Sequence, residues 1–300
     1  MTHRLLPLVP AILSIGLTAC FGGGGDEPPV TAPAAPQVGQ DCTTLPPVDD
    51  YNQMGPFSDV IRVNKQGPDQ NYTVFRPGDS LGTNGFKHPI AVWGNGISTT
   101  PGWYENLLTM VASHGFVVVA CNDIKAERPC LNDGLDWIES ENGVGGAFQG
   151  MLDTEREFTI GYSWGGGAAI DTANRPDVKA TVSLHGMPPR GETAFTDMHA
   201  PLLLFTSTGD GFVNAEEYVT PNYEASQVQT FYATLNDDEA DHLYPIDGSG
   251  SAYEERGPMI AWMRYWGCGD QGAKPLFFGE DCELCATEPW AQEQRKFWTE

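Results

Sequence analysis

Apolar residues along this 300-residue chain gather into short runs of two kinds that take turns. Runs at 60–63 and 72–75 read as opening strands, with 66–70 offering the turn of a hairpin. Residues 90–93 form a short buried strand. The stretch 103–113 then carries Leu107, Leu108 and Val111 on one helical face, and Gly115 stops it. Phe116, Val117, Val118, Val119 and Ala120 run apolar without alternation, so both faces of that strand are expected to be covered, as in a parallel sheet. A helix over 131–141, a strand over 158–161, a helix over 165–174, strands over 180–184, 202–206 and 229–234, and a last helix over 258–266 continue the rhythm. It predicts a single α/β domain with a mostly parallel central sheet and helices on both faces. No internal repeat interrupts it.

The beginning of the chain stands apart from this pattern. Residues 1–20 contain Arg4, an apolar stretch over 5–17 broken by Pro7 and Pro10, and the ending Leu17-Thr18-Ala19-Cys20. The stretch is short of the ~20 apolar residues that span a bilayer and reads as an export signal. Its last four residues resemble the lipobox of bacterial lipoproteins, in which the cysteine is acylated after cleavage; an ordinary signal peptide is the alternative. Residues 21–40 are rich in Gly, Pro and Ala and read as a flexible tether. The expectation is therefore a signal peptide over 1–19, a lipid-anchored tether over 20–41 and a folded domain over 42–300. Anchored through Cys20, the chain would sit on a bacterial outer membrane or cell surface; without acylation it would be secreted.

Charge narrows the partners. Forty Asp and Glu against 16 Lys and Arg give a net charge of −24, with no basic cluster, which argues against nucleic acid. The hydrophobic share of 40%, with 35 glycines besides, is that of a folded globular chain. Beyond Cys20, six cysteines remain: Cys42, Cys121, Cys130, Cys268, Cys282 and Cys285. An even number in an exported chain predicts disulfides, although the sequence does not choose among the pairings; Cys121 with Cys130 is a plausible short loop. Cys282-x-x-Cys285 has no second CxxC or His pair to complete a zinc site, and it lies in a Gly- and acid-rich tail rather than opening a helix after a strand, as a redox CxxC does. No metal or cofactor is expected.

The chemistry is announced by Gly161-Tyr162-Ser163-Trp164-Gly165, between an apolar strand and a helix of small residues. Glycines on both sides permit a tight, strained strand-to-helix turn that lifts a serine hydroxyl to a helix N-terminus. The serine needs a base, which in this arrangement follows an acid in the chain. His185, after strand 180–184, and His242, in the acidic loop Asp237-Asp238-Glu239-Ala240-Asp241-His242, are the histidines placed at carboxyl ends of strands. Asp210 closes the segment after strand 202–206, with Asp237, Asp238 and Asp241 as rivals. The expected set is Ser163 as nucleophile, His242 as base and Asp210 as its orienting acid. Backbone N–H groups of Trp164 and Ile97, the latter after Gly94-Asn95-Gly96, are the candidates for an oxyanion hole.

These segments, with 112–118 and Ala261-Trp262-Met263-Arg264, resemble the bacterial cutinase and poly(ethylene terephthalate) hydrolase family of α/β-hydrolases over about 56–266. The resemblance implies that Ser163, Asp210 and His242 are the catalytic residues and that the oxyanion donors are the backbones of Ile97 and Trp164. The family usually carries His or Pro at Asn95, often Tyr or Phe at Ile97, and Met at Trp164. Those departures alter part of an aromatic clamp for polymer, and Asn95, Trp103 and His185 are expected to reshape the cleft. The implied activity is extracytoplasmic serine ester hydrolysis on polymer or lipid esters, by a monomer. A lipase or acetylhydrolase is the nearest alternative, and an envelope lipoprotein without turnover is another.

Overall fold

A computed structural model of the protein describes residues 41–285 and 288–298; the expected signal, tether and Cys20 lie outside them. The opening hairpin is present as β1 (Val60–Gln66) and β2 (Tyr72–Pro77), antiparallel with Val63 facing Val74. Then follow β3 (His88–Gly94), α1 (Glu105–Ser113), β4 (Val117–Cys121), α2 (Arg128–Glu141), β5 (Leu152–Tyr162), α3 (Trp164–Thr172) and β6 (Val178–Leu184). A short α4 (Ala194–Asp197) leads to β7 (Leu202–Ser207), α5 (Thr220–Ala225), β8 (Thr230–Leu235) and the long α6 (Tyr253–Cys268). The chain closes with α7 (Lys274–Phe277) and β9 (Trp290–Lys296).

Among the described residues, nine strands form one sheet in the order β1-β2-β4-β3-β5-β6-β7-β8-β9. The block from β4 to β8 is parallel throughout, and antiparallel strands flank it at both ends. Strand pleating sends neighbouring residues to opposite faces, and the core follows. Ala91 and Trp93 of β3 pack with α1 and α6, whereas Ile90 and Val92 pack with α2. On β7, Leu203 and Phe205 join the first core while Leu202 and Leu204 meet Ile170 of α3 and Val219. All five residues of β4 are buried, as a strand covered on both faces must be.

Three expectations are corrected. The helix expected over 258–266 is α6, which begins at Tyr253 and carries Pro258 inside it; proline is commonest at a helix start, and within a helix it forfeits a backbone hydrogen bond. The strand that leads into Ser163 is longer than expected, 11 residues, because its polar half from Asp153 to Glu157 has no apolar run to betray it. The tail after α6 is not merely a loop: β9 pairs antiparallel with β8, Phe231 facing Arg295. Its sequence Trp290-Ala291-Gln292-Glu293-Gln294-Arg295-Lys296 is polar because an edge strand need not be buried on both faces.

All six cysteines of the folded region are paired, Cys42 with Cys268, Cys121 with Cys130 and Cys282 with Cys285. The first joins positions 226 apart, and closing so long a loop restricts the unfolded chain most, by up to about 5 kcal/mol. Replacing Cys42 and Cys268 together by Ser should therefore lower the thermal midpoint by several degrees more than replacing Cys282 and Cys285, which stand three apart. Equal shifts in parallel calorimetric scans would contradict this account.

Candidate active site

Ser163 sits between β5 and α3 with φ 54° and ψ −118°, a region that L-residues rarely occupy and that neighbouring structure must enforce. Its N–H donates to the Leu184 carbonyl at 2.9 Å, and its own carbonyl accepts from Gly166 N–H at 3.0 Å and Met187 N–H at 2.9 Å. Two glycines make room. A Cβ on Gly161 would stand 2.2 Å from the Gly165 oxygen, and one on Gly165 would stand 2.0 Å from the Gly94 oxygen. The turn thus presses α3 against the end of β3, where the Asn95 to Ile97 loop begins.

Around this turn the structure brings together Ser163, His242 and Asp210. Ser163 Oγ lies 2.9 Å from His242 Nε2, and His242 Nδ1 lies 2.8 Å from Asp210 Oδ2. With Nδ1–H donating to the carboxylate, Nε2 is left to accept from the serine hydroxyl. Asp210 Oδ1 accepts from the N–H groups of Phe212 and Val213 at 3.0 and 2.8 Å. Burial pushes the Asp210 carboxyl up, but hydrogen bonds from His185 and His242 outweigh it and hold the group well below the usual carboxylate range. The His242 backbone is fixed by Tyr162, whose hydroxyl donates to its carbonyl, and its ring lies against Tyr162 and Phe212, centroids 5.0 Å away in each case. The rival acids are engaged locally: Asp237 accepts from Glu239 N–H and Asp241 from Leu243 N–H.

The serine and histidine open on a cavity of about 440 Å³, whose apolar lining includes Ile97, Phe212, Leu243 and Ile246. Ile97 reaches it from the loop after β3, and Trp164 is the first residue of α3, at the helix N-terminus directly after Ser163. The residues expected to shape the cleft are placed elsewhere. Asn95 is fully buried and braces the loop, its amide donating to the carbonyls of Thr99 and Asp123 at 2.9 and 2.8 Å. Trp103 is half exposed and outside the cavity lining, its carbonyl accepting from Asp247 N–H. His185 is fully buried behind Asp210, with Nδ1 2.8 Å from the same Oδ2 and Nε2 2.9 Å from Glu255 Oε1.

Glu255 was not legible as part of the site. It stands in Glu254-Glu255-Arg256, ahead of the expected helix start, where charge reads as a solvated helix end. Ligand atoms of His185, Asp210 and His242 converge within 4.8 Å, a grouping of the kind that holds metals. Each imidazole, however, meets the shared carboxylate oxygen at 2.8 Å, which is hydrogen-bond geometry and suits an N–H rather than a cation between the two atoms. The other buried histidines are structural. Desolvation lowers both to about 4, with His88 Nδ1 held at the Gly115 carbonyl and His114 Nε2 at that of Gln53.

A strained serine on a strand-to-helix turn, at the carboxyl edge of a mostly parallel sheet with helices on both faces, defines the α/β-hydrolase class. The profile of the PETase family, described as PET hydrolase-like, matches residues 62–283, and the chain belongs to that family. The chain is 30% identical over 144 residues to the cutinase est2 of Thermobifida alba, covering 45% of this chain and 46% of that protein. It is 28% identical over 144 residues to cutinase est1 of the same organism, covering 45% and 47%. To lipase 1 of Moraxella sp. (strain TA144) it is 25% identical over 288 residues, covering 88% of this chain and 82% of that one. The chain spans about half the length of the cutinases it matches. These relationships place it in the PET hydrolase-like family, with cutinases and a lipase among the proteins it resembles. Among the described residues, no helix is long and apolar enough to cross a membrane.

Proposed function

We propose that the protein is an exported serine carboxylic-ester hydrolase of cutinase type, working through an acyl-enzyme and held at the cell surface by a lipid on Cys20. The observation that carries this reading is the hydrogen-bonded row from Ser163 through His242 to Asp210, opening on an apolar cavity. His242 takes the Ser163 proton as the hydroxyl oxygen attacks the ester carbonyl, and Asp210 stabilises the imidazolium so formed. The oxyanion is received by the N–H groups of Trp164 and Ile97. His242 then protonates the departing alcohol, and a water molecule, deprotonated by the same imidazole, releases the acid from Ser163.

The cavity supports neutral acyl or aromatic groups rather than anionic ones, since Asp241 lines it among apolar side chains. Lipase action on lipid esters is the second reading, favoured by the Moraxella lipase, whose match extends over most of both chains. A panel of p-nitrophenyl esters from acetate to long acyl chains, with an insoluble polyester film alongside, separates them. Cutinase action predicts highest kcat/KM on short to middle chains together with soluble products from the film. A rate that climbs toward the longest chains favours the lipase reading, and absence of hydrolysis across the panel would leave a non-catalytic envelope lipoprotein.

A further inference from the structure

A serine, histidine and aspartate row needs one imidazole, yet two of them share Asp210. His185 and His242 each place Nδ1 2.8 Å from the same Oδ2, their ring centroids 6.2 Å apart. His185 has no solvent exposure, and its other nitrogen lies 2.9 Å from Glu255 Oε1. Ionised carboxylates accept hydrogen bonds and cannot donate them. A ring bonded to carboxylates on both sides satisfies both only with a proton on each nitrogen. Glu255 is also fully buried, and its Oε2 has no hydrogen-bond partner among the described residues, so His185 is the group that offsets its charge.

Resting on the proposed roles of Ser163, His242 and Asp210, we propose that His185 is a positioning residue for this reaction: an imidazolium held between the carboxylates of Asp210 and Glu255, it clamps Asp210 opposite His242 and divides the carboxylate's charge between two imidazoles. Desolvation alone would strip the proton from so buried a ring, but the Glu255 charge and the hydrogen bonds to Asp210 and Glu255 overcome it and lift the group to about 10. The backbone enforces the placement. His185 takes φ 45° at the end of β6, in the left-handed region, while its N–H donates to the Phe205 carbonyl at 2.9 Å. The groups facing it are Asp210 from the loop after β7, His242 from the loop after β8, Glu255 from α6, and Tyr162 from β5, edge-on at 6.5 Å. Burial keeps the Tyr162 hydroxyl protonated far above its ordinary range, so it adds no charge. Asp241, next to His242 in the chain, lines the cavity.

The test is the pH profile of kcat/KM on a soluble p-nitrophenyl ester for wild type, His185→Gln and Glu255→Gln. In His185→Gln the charge of Asp210 acts on one imidazole alone, and the acid limb should move up by about 0.5 to 1 pH unit, with kcat down about tenfold and KM little changed. In Glu255→Gln the cation of His185 draws on Asp210 alone, and the limb should move down. A role confined to packing predicts limbs that stay at the wild-type position, and that result, or shifts in the same direction, overturns the proposal. The charge state is read independently of turnover from side-chain nitrogen-15 shifts of the wild type. His185 should show both ring nitrogens protonated from about pH 5 to about pH 9. A neutral His185 near neutral pH overturns the proposal even in an active esterase and even where the variants do not fold. A wild type that turns over no ester overturns the reading of the serine row, and the positioning role with it, whatever the charge of His185.

Discussion

Ser163→Ala is expected to lower kcat on p-nitrophenyl butyrate by about 10⁴-fold or more while leaving KM within about twofold. The argument is geometric. Ser163 Oγ is the atom 2.9 Å from His242 Nε2, and alanine removes it while leaving the cavity, Asp210 and the helix N-terminus in place. The substitution adds no new backbone demand, because Ala at φ 54° is strained as Ser is, so the thermal midpoint should stay within a few degrees. A variant that retains the wild-type rate would assign the nucleophile elsewhere. An organophosphonate ester supplies a second readout, since it should label wild type at Ser163 and fail to label the variant.

Gly165→Ala should be the most damaging small substitution for the fold. Its added Cβ would meet the Gly94 oxygen at 2.0 Å, the Gly94 carbonyl carbon at 2.2 Å and the Asn95 oxygen at 2.8 Å, all backbone atoms that no rotamer change can move. To admit one methyl, α3 must part from the end of β3, all of whose residues are buried. A loss above about 3 kcal/mol, or a drop in midpoint on the order of 10 °C, is expected. The same shift would displace the loop that carries Ile97, so activity should fall faster than stability as temperature rises. Gly211→Ala, where a Cβ meets nothing within 4 Å, is the stability control and should stay within about 0.5 kcal/mol. A Gly165→Ala protein as stable as this control would contradict the close helix-to-strand approach.

Both predictions concern a turn that could be read from five consecutive residues. Gly161-Tyr162-Ser163-Trp164-Gly165 sits where an apolar run gives way to small residues, and a strand-to-helix turn is a local event whose requirements are written locally. The parallel block was legible for the same reason: Val117, Val118 and Val119 are apolar without alternation because both faces are covered. Order in the chain was enough to choose Asp210 and His242 as candidates, since the carboxyl ends of successive parallel strands meet along one edge.

Elsewhere local pattern was silent or misleading. Pro258 suggested a helix start five residues late, and β9 was hidden because an edge strand may stay polar. His185 stood out as a strand-end histidine, but its partner Glu255 lies 70 positions away on a helix end that reads as solvated. Cys42 and Cys268, 226 apart, posed the same problem. The sequence by itself determined the type of each main element, the strained serine turn and the sign of the surface charge, because periodicity, glycine and net charge act over a few residues or over the whole composition. Tertiary structure alone decided which distant groups meet: which cysteines pair, which strand caps the sheet, and that a second imidazole and a buried carboxylate stand behind Asp210. Such contacts are set by the packing of helices on the sheet, and residues far apart in the chain carry no mark in their own surroundings of the partner that packing will bring.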